Sequence, residues 1–298
     1  MVRQYKIHTN LDGTDDKVWD VTNGKVRFYQ PSNLGLQSTN NIWQSNGIGV
    51  MGTRSITQPQ IEFKLETFGE SLDENYQLMK DFINDILKQK FVTLEYQTEI
   101  FQVYADLALA EVTKTEGYGK NGTFSEKITF DIITKWYTYE NLTFDKIQNG
   151  EVIAGKSKIY GGTAPGNYKY VKGTSYTYYG ESNIDRLSRW DIKDEIFSFM
   201  GILYPKLPKT PAGVRFLDDT GNEYTAIVFK TEQVQNYILI NTDVNDEVYQ
   251  GWNGTTSLNL FPVMDFERYR TRIIEHGQME LINLSKAEFK IKRKADFV

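Results

Sequence analysis

Glu70-Ser71-Leu72-Asp73-Glu74-Asn75-Tyr76-Gln77-Leu78-Met79-Lys80-Asp81-Phe82-Ile83-Asn84-Asp85-Ile86-Leu87-Lys88 runs into Val92-Thr93-Leu94-Glu95-Tyr96, and the change of period between the two decides the fold. Ser71 and Glu74 stand at the S-x-x-E spacing of a capping box, which satisfies two N–H groups that a first helical turn leaves unpaired. Leu72, Tyr76, Met79, Phe82, Ile83, Ile86 and Leu87 recur at intervals of three and four, one face of a helix over 70–90. Asp73, Glu74, Lys80, Asp81, Asn84, Asp85 and Lys88 make its wet face. The period then drops to two: Val92, Leu94 and Tyr96, then Phe101, Val103, Ala105, Leu107 and Leu109, then Phe124, Ile128, Phe130 and Ile132. Period two is the strand signature, and 117–122 reads as a hairpin turn between the last two runs. The expectation is one helix laying seven apolar side chains on an antiparallel sheet closed by Trp136-Tyr137. Such burial contributes on the order of 10 kcal/mol before ordering entropy is subtracted.

Working outward, residues 1–29 alternate loosely through Val18, Val21, Val26 and Phe28, with turns at Asp12-Gly13 and Asn23-Gly24; two or three short strands are expected. From 31 to 59 Asn, Ser, Gly, Gln and Thr dominate. The apolar residues there (Leu34, Leu36, Ile42, Trp43, Ile48, Val50 and Met51) fall in no long periodic run. Two readings fit a stretch of that length: an extended arm whose apolar residues are buried on a neighbouring subunit, or a large surface loop. Ile61, Phe63 and Leu65 then resume strand alternation.

Beyond Trp136-Tyr137 a second domain begins with Leu142, Phe144 and Ile147. Six of the 19 tyrosines follow closely, Tyr160, Tyr168, Tyr170, Tyr176, Tyr178 and Tyr179, among many glycines. Tyrosine on a glycine-rich arm supplies contact area at low side-chain entropy, which suits recognition of a partner; the other reading is the filling of a small β subdomain. Residues 183–201 read as partly helical through Ile184, Leu187, Ile192, Ile196, Phe199 and Met200, and Pro205, Pro208 and Pro211 as a stiff extended connection. Short strand signals then come regularly, from Val214–Leu217 and Tyr224–Phe229 about an Asp219–Asn222 turn, through 237–240, 248–249, 258–261, 268–274 and 279–282, to 289–291. Many short strands separated by turns indicate a sandwich or jelly roll, with the tyrosine-rich segment as a long insertion.

Composition narrows the function. The 298 residues suggest about two domains. Five Trp, 19 Tyr and 17 Phe favour strands and binding surfaces over helical bundles. A net charge of −5 argues against a nucleic-acid partner. The basic tail, Lys290 to Lys294, alternates with Phe289 and Ile291 and reads as an edge strand with outward charges. No cysteine is present, so thiol nucleophiles, disulfides and cysteine-rich zinc sites are excluded. No secretory signal and no membrane-length apolar run is seen, and folding in a cytoplasm is expected. Gly150-Glu151-Val152-Ile153-Ala154-Gly155-Lys156-Ser157 matches a P-loop as text, but the glycines and Pro165 that follow do not allow the helix that phosphate binding needs. Gly47-Ile48-Gly49-Val50-Met51-Gly52 matches a dinucleotide fingerprint with equally wrong surroundings. His8 and His276 read as structural or surface histidines, and the acidic groups as turns; Val248 takes the place of the glycine a calcium loop requires. No catalytic, cofactor or metal residue is assigned.

In its order of elements (strand-rich start, long loop, capped helix, hairpin, Phe130 and Trp136-Tyr137, then a β domain with Ile240-Asn241-Thr242 and a late Gly277) the chain resembles the distal tail protein (Dit) family of long-tailed bacteriophages, particularly those with a baseplate that infect lactic-acid bacteria. The resemblance implies a mainly β chain. Residues 1–135 would form a β-sandwich or split-barrel-like ring domain with one packed helix. Residues 136–298 would form a galectin-like, carbohydrate-binding-module-like jelly roll carrying an arm-like insertion at 146–190. It further implies a structural, non-enzymatic hub in the virion, folded in the host cytoplasm and assembled as a homohexameric ring. Partners would be the tail tube protein, the tail-associated baseplate hub protein and receptor-binding protein trimers, without nucleic acid or membrane. Ile42, Trp43, Ile48, Val50 and Met51 would then belt the neighbouring subunit, and the six tyrosines at 160–179 would grip the receptor-binding protein. A second function class stays open, a module that binds cell-wall saccharide through the second domain.

Overall fold

A computed structural model describes residues 3–13, 15–35, 37–57, 60–114, 125–145, 147–148, 151–152, 190–233 and 235–295. The chain divides into two compact units, Met1–Thr138 with Ala295–Val298, and Tyr139–Lys294.

The first unit contains β1 (Gln4–His8), β2 (Val18–Asp20), β3 (Val26–Ser32), β4 (Gln37–Ser45), β5 (Ile48–Thr57), β6 (Ile61–Thr67), α1 (Leu72–Leu87), β7 (Val92–Gln97), β8 (Gln102–Thr113) and β9 (Ser125–Ile132). All strands but β4 and β5 join one antiparallel sheet, in the order β2-β1-β7-β8-β9-β6-β3. Tyr5 on β1 meets Phe63 on β6 with ring centroids 5.5 Å apart, although three strands separate them in that order. The sheet therefore curls on itself. Phe28, on the far strand, stacks on Phe63 at 4.5 Å and meets Phe82 of the helix edge-on at 5.9 Å. Period-two burial along β6 (Ile61, Phe63, Leu65) and β8 (Val103, Ala105, Leu107) supplies the rest of the core. The turn over 21–25 is closed by the Gly24 N–H donating to Asp20 O, four residues back.

The helix begins where the capping box places it: the Glu74 N–H donates to Ser71 Oγ at 3.2 Å, and the Glu74 carboxylate reaches one residue further back than expected, to the Glu70 N–H. Its buried face is narrower than the seven-residue reading. Phe82 and Ile86 are buried, with Asn75 bonded to the Gly69 backbone beside them; Leu78, Met79 and Ile83 pack only in part. Leu72, Tyr76 and Leu87 stand 50, 60 and 62% exposed. The apolar arc of the helix is wider than the strip the sheet can cover, so its burial contributes about 6 kcal/mol, not 10.

The second unit takes in most of β10 (Tyr137–Asp145), then β11 (Ile147–Gln148), β12 (Glu151–Val152), β13 (Trp190–Ile192), β14 (Ile196–Pro205), β15 (Ala212–Leu217), β16 (Glu223–Phe229), β17 (Tyr237–Asn241), β18 (Val248–Asn253), β19 (Thr256–Asn259), β20 (Gly277–Ile282) and β21 (Leu284–Lys294). Two antiparallel sheets, β19-β18-β17-β14-β21-β10 and β13-β20-β15-β16, enclose one core. Phe199 of β14 ties them, touching Phe289 beside it and Phe216 of the other sheet, each at 5.9 Å. This is the sandwich expected from the spacing of short strands.

Four readings of this half are corrected. Residues 190–192 and 196–201 are strands β13 and β14, not helix: Ile196 is buried, and after a register shift before Ser198 the inward set is Phe199, Gly201 and Leu203 at period two, with Gly201 pressed between Ile240 and Phe289, where an added Cβ would come within 2.9 Å of both. The basic tail is not an edge. β21 lies between β14 and β10, and Lys292 is buried against Asp243 with Nζ–Oδ2 2.8 Å. Residues 206–210 form a turn, not an extended linker, gathered by Asn283, which accepts from the Leu207 N–H and donates to Leu207 O and Thr210 O. Residues 268–274 form no strand; Arg268 there holds Glu223 with two hydrogen bonds.

Candidate assembly surfaces

Residues 37–57 form an antiparallel hairpin, β4 with β5, that pairs with no other strand among the described residues. Both strands exceed the usual five or six residues, and the turn between them is Asn46-Gly47 with φ of 51° and 80°. Positive φ at both central residues is the type I′ geometry that suits the twist of a hairpin, and Asn-Gly is its commonest pair. That dipeptide was the signal that distinguishes this stretch from a loop. Its periodicity is broken by Gly49 and Gly52 and by a bulge between the Asn40↔Arg54 and Ile42↔Met51 pairs.

Register sorts the apolar residues. Trp43 lies opposite Val50, and Ser45 opposite Ile48, so Trp43, Ile48 and Val50 share one face; Ile42 lies opposite Met51 on the other. All five are exposed, Trp43 at 67%, Ile48 at 70% and Val50 at 59%. A two-stranded hairpin by itself is marginal in water, and contiguous exposed apolar patches occur where proteins meet another chain, a membrane or a ligand. The structure thus brings together all five arm residues named from the sequence. The six tyrosines Tyr160, Tyr168, Tyr170, Tyr176, Tyr178 and Tyr179, most of the 146–190 insertion and the P-loop lysine lie outside the described residues.

In the second unit, the outer face of the six-stranded sheet holds a cleft of about 530 Å³. Along β14, β17 and β21 the inward side chains alternate with Met200, Ile202 and Leu239, which line it with Val248. Asn141, Asn241, Asp246, Glu288 and Lys290 supply amide, carboxylate and ammonium groups around this apolar bed.

His8, read as structural, is the centre of a polar network at the first sheet. Nδ1 lies 2.6 Å from Asp16 Oδ2 and Nε2 2.9 Å from Glu95 Oε2, and Lys6 Nζ donates to the other Glu95 oxygen at 2.8 Å. Burial favours the neutral acid at Glu95, but the bonds from Lys6 and His8 outweigh it and hold the carboxyl below its ordinary value. The network ties the loop before β2 to β7. His276 is exposed beside Asp219. Among the described residues no cluster of three or more His, Asp or Glu is arranged to hold a metal ion, and no helix is long and apolar enough to cross a membrane.

Residues 4–133 match the family model "Distal tail protein, N-terminal domain", and residues 135–298 match "Dit, C-terminal domain". The chain is 95% identical to the distal tail protein of Lactococcus phage p2 and 92% identical to that of Lactococcus phage SK1, each over 298 residues covering all of both chains. It superposes with a TM-score of 0.79 on a 95% identical chain in a structure of the phage P2 baseplate in its activated conformation with Ca, over the full length of both. A chain of the SPP1 Dit protein, at 9% identity, shares the fold over 98% of this chain and 99% of that one, with a TM-score of 0.52.

Proposed function

The chain belongs to the distal tail protein family of bacteriophages, and from that premise we propose that it is a structural hub of a phage tail tip and baseplate, working by geometry and without a reactive centre. Copies join edge to edge as a homohexameric ring that connects the tail tube protein to the tail-associated baseplate hub, and the 146–190 insertion grips receptor-binding protein trimers. The residence is the virion, after folding in the host cytoplasm. The observation that carries the reading is the β4–β5 hairpin, a long, exposed, apolar arm that has no covering layer among the described residues. A ring closes when one patch on each copy meets a different patch on the next through a rotation that returns to the start. An arm is suited to that head-to-tail contact.

Co-expression with the receptor-binding protein tests both halves. Chains trimmed of 146–190 are expected to form the ring and to lose co-purification of the partner. Loss of the ring on trimming refutes the division of labour, and a parent chain that stays monomeric at all concentrations refutes the hub. The cleft on the second unit favours one other reading, recognition of cell-wall saccharide, since amide and carboxylate groups around an apolar bed are the groups that bind sugar hydroxyls and ring faces. Glycan-array binding by the whole chain, lost in Asn241→Ala, would establish it.

A further inference from the structure

We infer that His8 is a proton-operated clasp: its imidazolium form holds Asp16, and with it the lead into β2, against the first sheet, and loss of one ring proton lets Asp16 go. The clasp lies within one unit of one chain and needs no assembly. Both ring nitrogens face a carboxylate oxygen, Nδ1 at 2.6 Å from Asp16 Oδ2 and Nε2 at 2.9 Å from Glu95 Oε2. A carboxylate only accepts, so both nitrogens have to donate, which the doubly protonated ring alone can do. A neutral ring keeps one N–H and turns a lone pair on the other carboxylate at the same short distance. Charge points the same way. Lys6 and the imidazolium balance Asp16 and Glu95, whereas a neutral ring leaves the group net negative around a histidine that is itself buried.

The surroundings decide which partner is released. Glu95 also accepts from Lys6 Nζ at 2.8 Å; burial alone would favour its neutral acid, but the bonds from Lys6 and His8 outweigh burial and keep it charged. Its side chain is 5% exposed against 19% for Asp16, so water replaces the ring more readily at Asp16, and the remaining proton stays on Nε2. The other ionisable groups on the neighbouring elements are already committed. Asp20 of β2, opposite Lys6, accepts from the Thr22 and Asn23 N–H groups. Asp106 of β8 accepts from Tyr137 and from Thr93, which lies opposite His8. Lys17 reaches Asp85 of α1. Tyr104 of β8, opposite Glu95, is a phenol pushed up by burial, Glu95 and Asp12, so it stays neutral. What the clasp holds is small: Asp16 Oδ1 accepts from the Asn10 N–H at 3.0 Å, and Thr9 and Lys17 exchange two bonds just beyond the three-residue pairing of β1 with β2. These contacts contribute on the acid side of the ring's titration and are lost on its alkaline side.

Hydrogen exchange of the full-length chain, read by mass spectrometry from roughly pH 5.5 to pH 9, brackets the ordinary range of histidine. Labelling times are scaled for the intrinsic rate. The peptide over 9–17 reports the clasp, and exchange at the imidazole C2 position reports the charge of each of the two histidines separately. In the parent, protection of that peptide is expected to fall about tenfold or more toward alkaline pH, in step with the loss of charge at His8, the effect of one hydrogen bond to a charged group. In Asp16→Asn the new amide donates to a neutral ring, so protection is expected to persist across the range. His8→Gln has nothing to titrate at this position and is expected to show no step. Circular dichroism and Tm at pH 6 establish that each variant is folded, and either variant alone decides the matter. Protection in the parent that does not change with pH, or that falls out of step with the charge of His8, overturns the clasp. So does a step that survives in Asp16→Asn or in His8→Gln.

Discussion

Glu95 sits on β7 with each carboxylate oxygen held, one by Lys6 and one by His8, and its pKa lies below the ordinary 4.5 despite burial. A carboxyl whose folded pKa is depressed contributes stability that is present above the unfolded value and is lost as pH falls through the folded one. Stability is therefore expected to fall below about pH 4.5. Glu95→Gln is expected to lower it at pH 7 and to flatten this acid limb relative to the parent, as read from urea midpoints at pH 3 and pH 7. Lys292 and Asp243 make the opposite kind of pair, nearly dry on both sides at 6% and 10% exposure. Removing one partner strands the other charge, so Lys292→Met should cost about 3 kcal/mol, and Lys292→Met/Asp243→Leu should recover part of it. Chemical denaturation of both variants checks the order. Gly277 is constrained by backbone alone: at φ 104° an added Cβ would come within 2.0 Å of Leu217 O.

At the scale of elements, α1 is the part most legible in sequence, because cap and period act within a few residues of each other. Ser71→Ala is expected to cost about 1 kcal/mol by leaving the Glu74 N–H without its acceptor, measurable as a drop in Tm without change of fold. What periodicity could not say is how much of the apolar arc the sheet would cover, since that depends on the curl that brings β1 to β6. The strands of the second unit follow the same logic. β15 and β16 were readable from alternation about the Asp218–Asn222 turn, where the Asp218 carboxylate accepts from the Thr220 and Asn222 N–H groups. β14 was misread because inward Phe199 next to Ser198 breaks period two at a buried position, and β21 because a lysine buried by an ion pair has the same letter as one in water. The arm was half legible. Its five apolar residues could be named, but bulge and glycines hid their pairing, and only Asn46-Gly47 declared a hairpin.

For the whole molecule, the two cores each announce themselves through their own pattern of apolar residues, whereas an assembly surface announces itself only by what fails to be buried. Trp43, Ile48, Val50, Leu72 and Leu87 look in the sequence like any core residues; exposure alone separates them, and exposure requires the fold. Assembly then has a thermodynamic signature that needs no partner protein. Anything that binds the native state and not the unfolded chain raises apparent stability by mass action, and a second copy is such a ligand. The Tm of the parent chain is accordingly expected to rise with its own concentration. Each tenfold increase above the association constant's midpoint adds up to about 1.4 kcal/mol per contact, a few degrees for a domain of this size. Trp43→Ser/Val50→Ser should remove that slope while leaving the Tm at high dilution unchanged, because neither side chain packs in a core of its own chain. Scanning calorimetry of parent and variant over a hundredfold range of concentration reads both quantities at once. A slope that survives in the variant would mean that the copies are held together elsewhere.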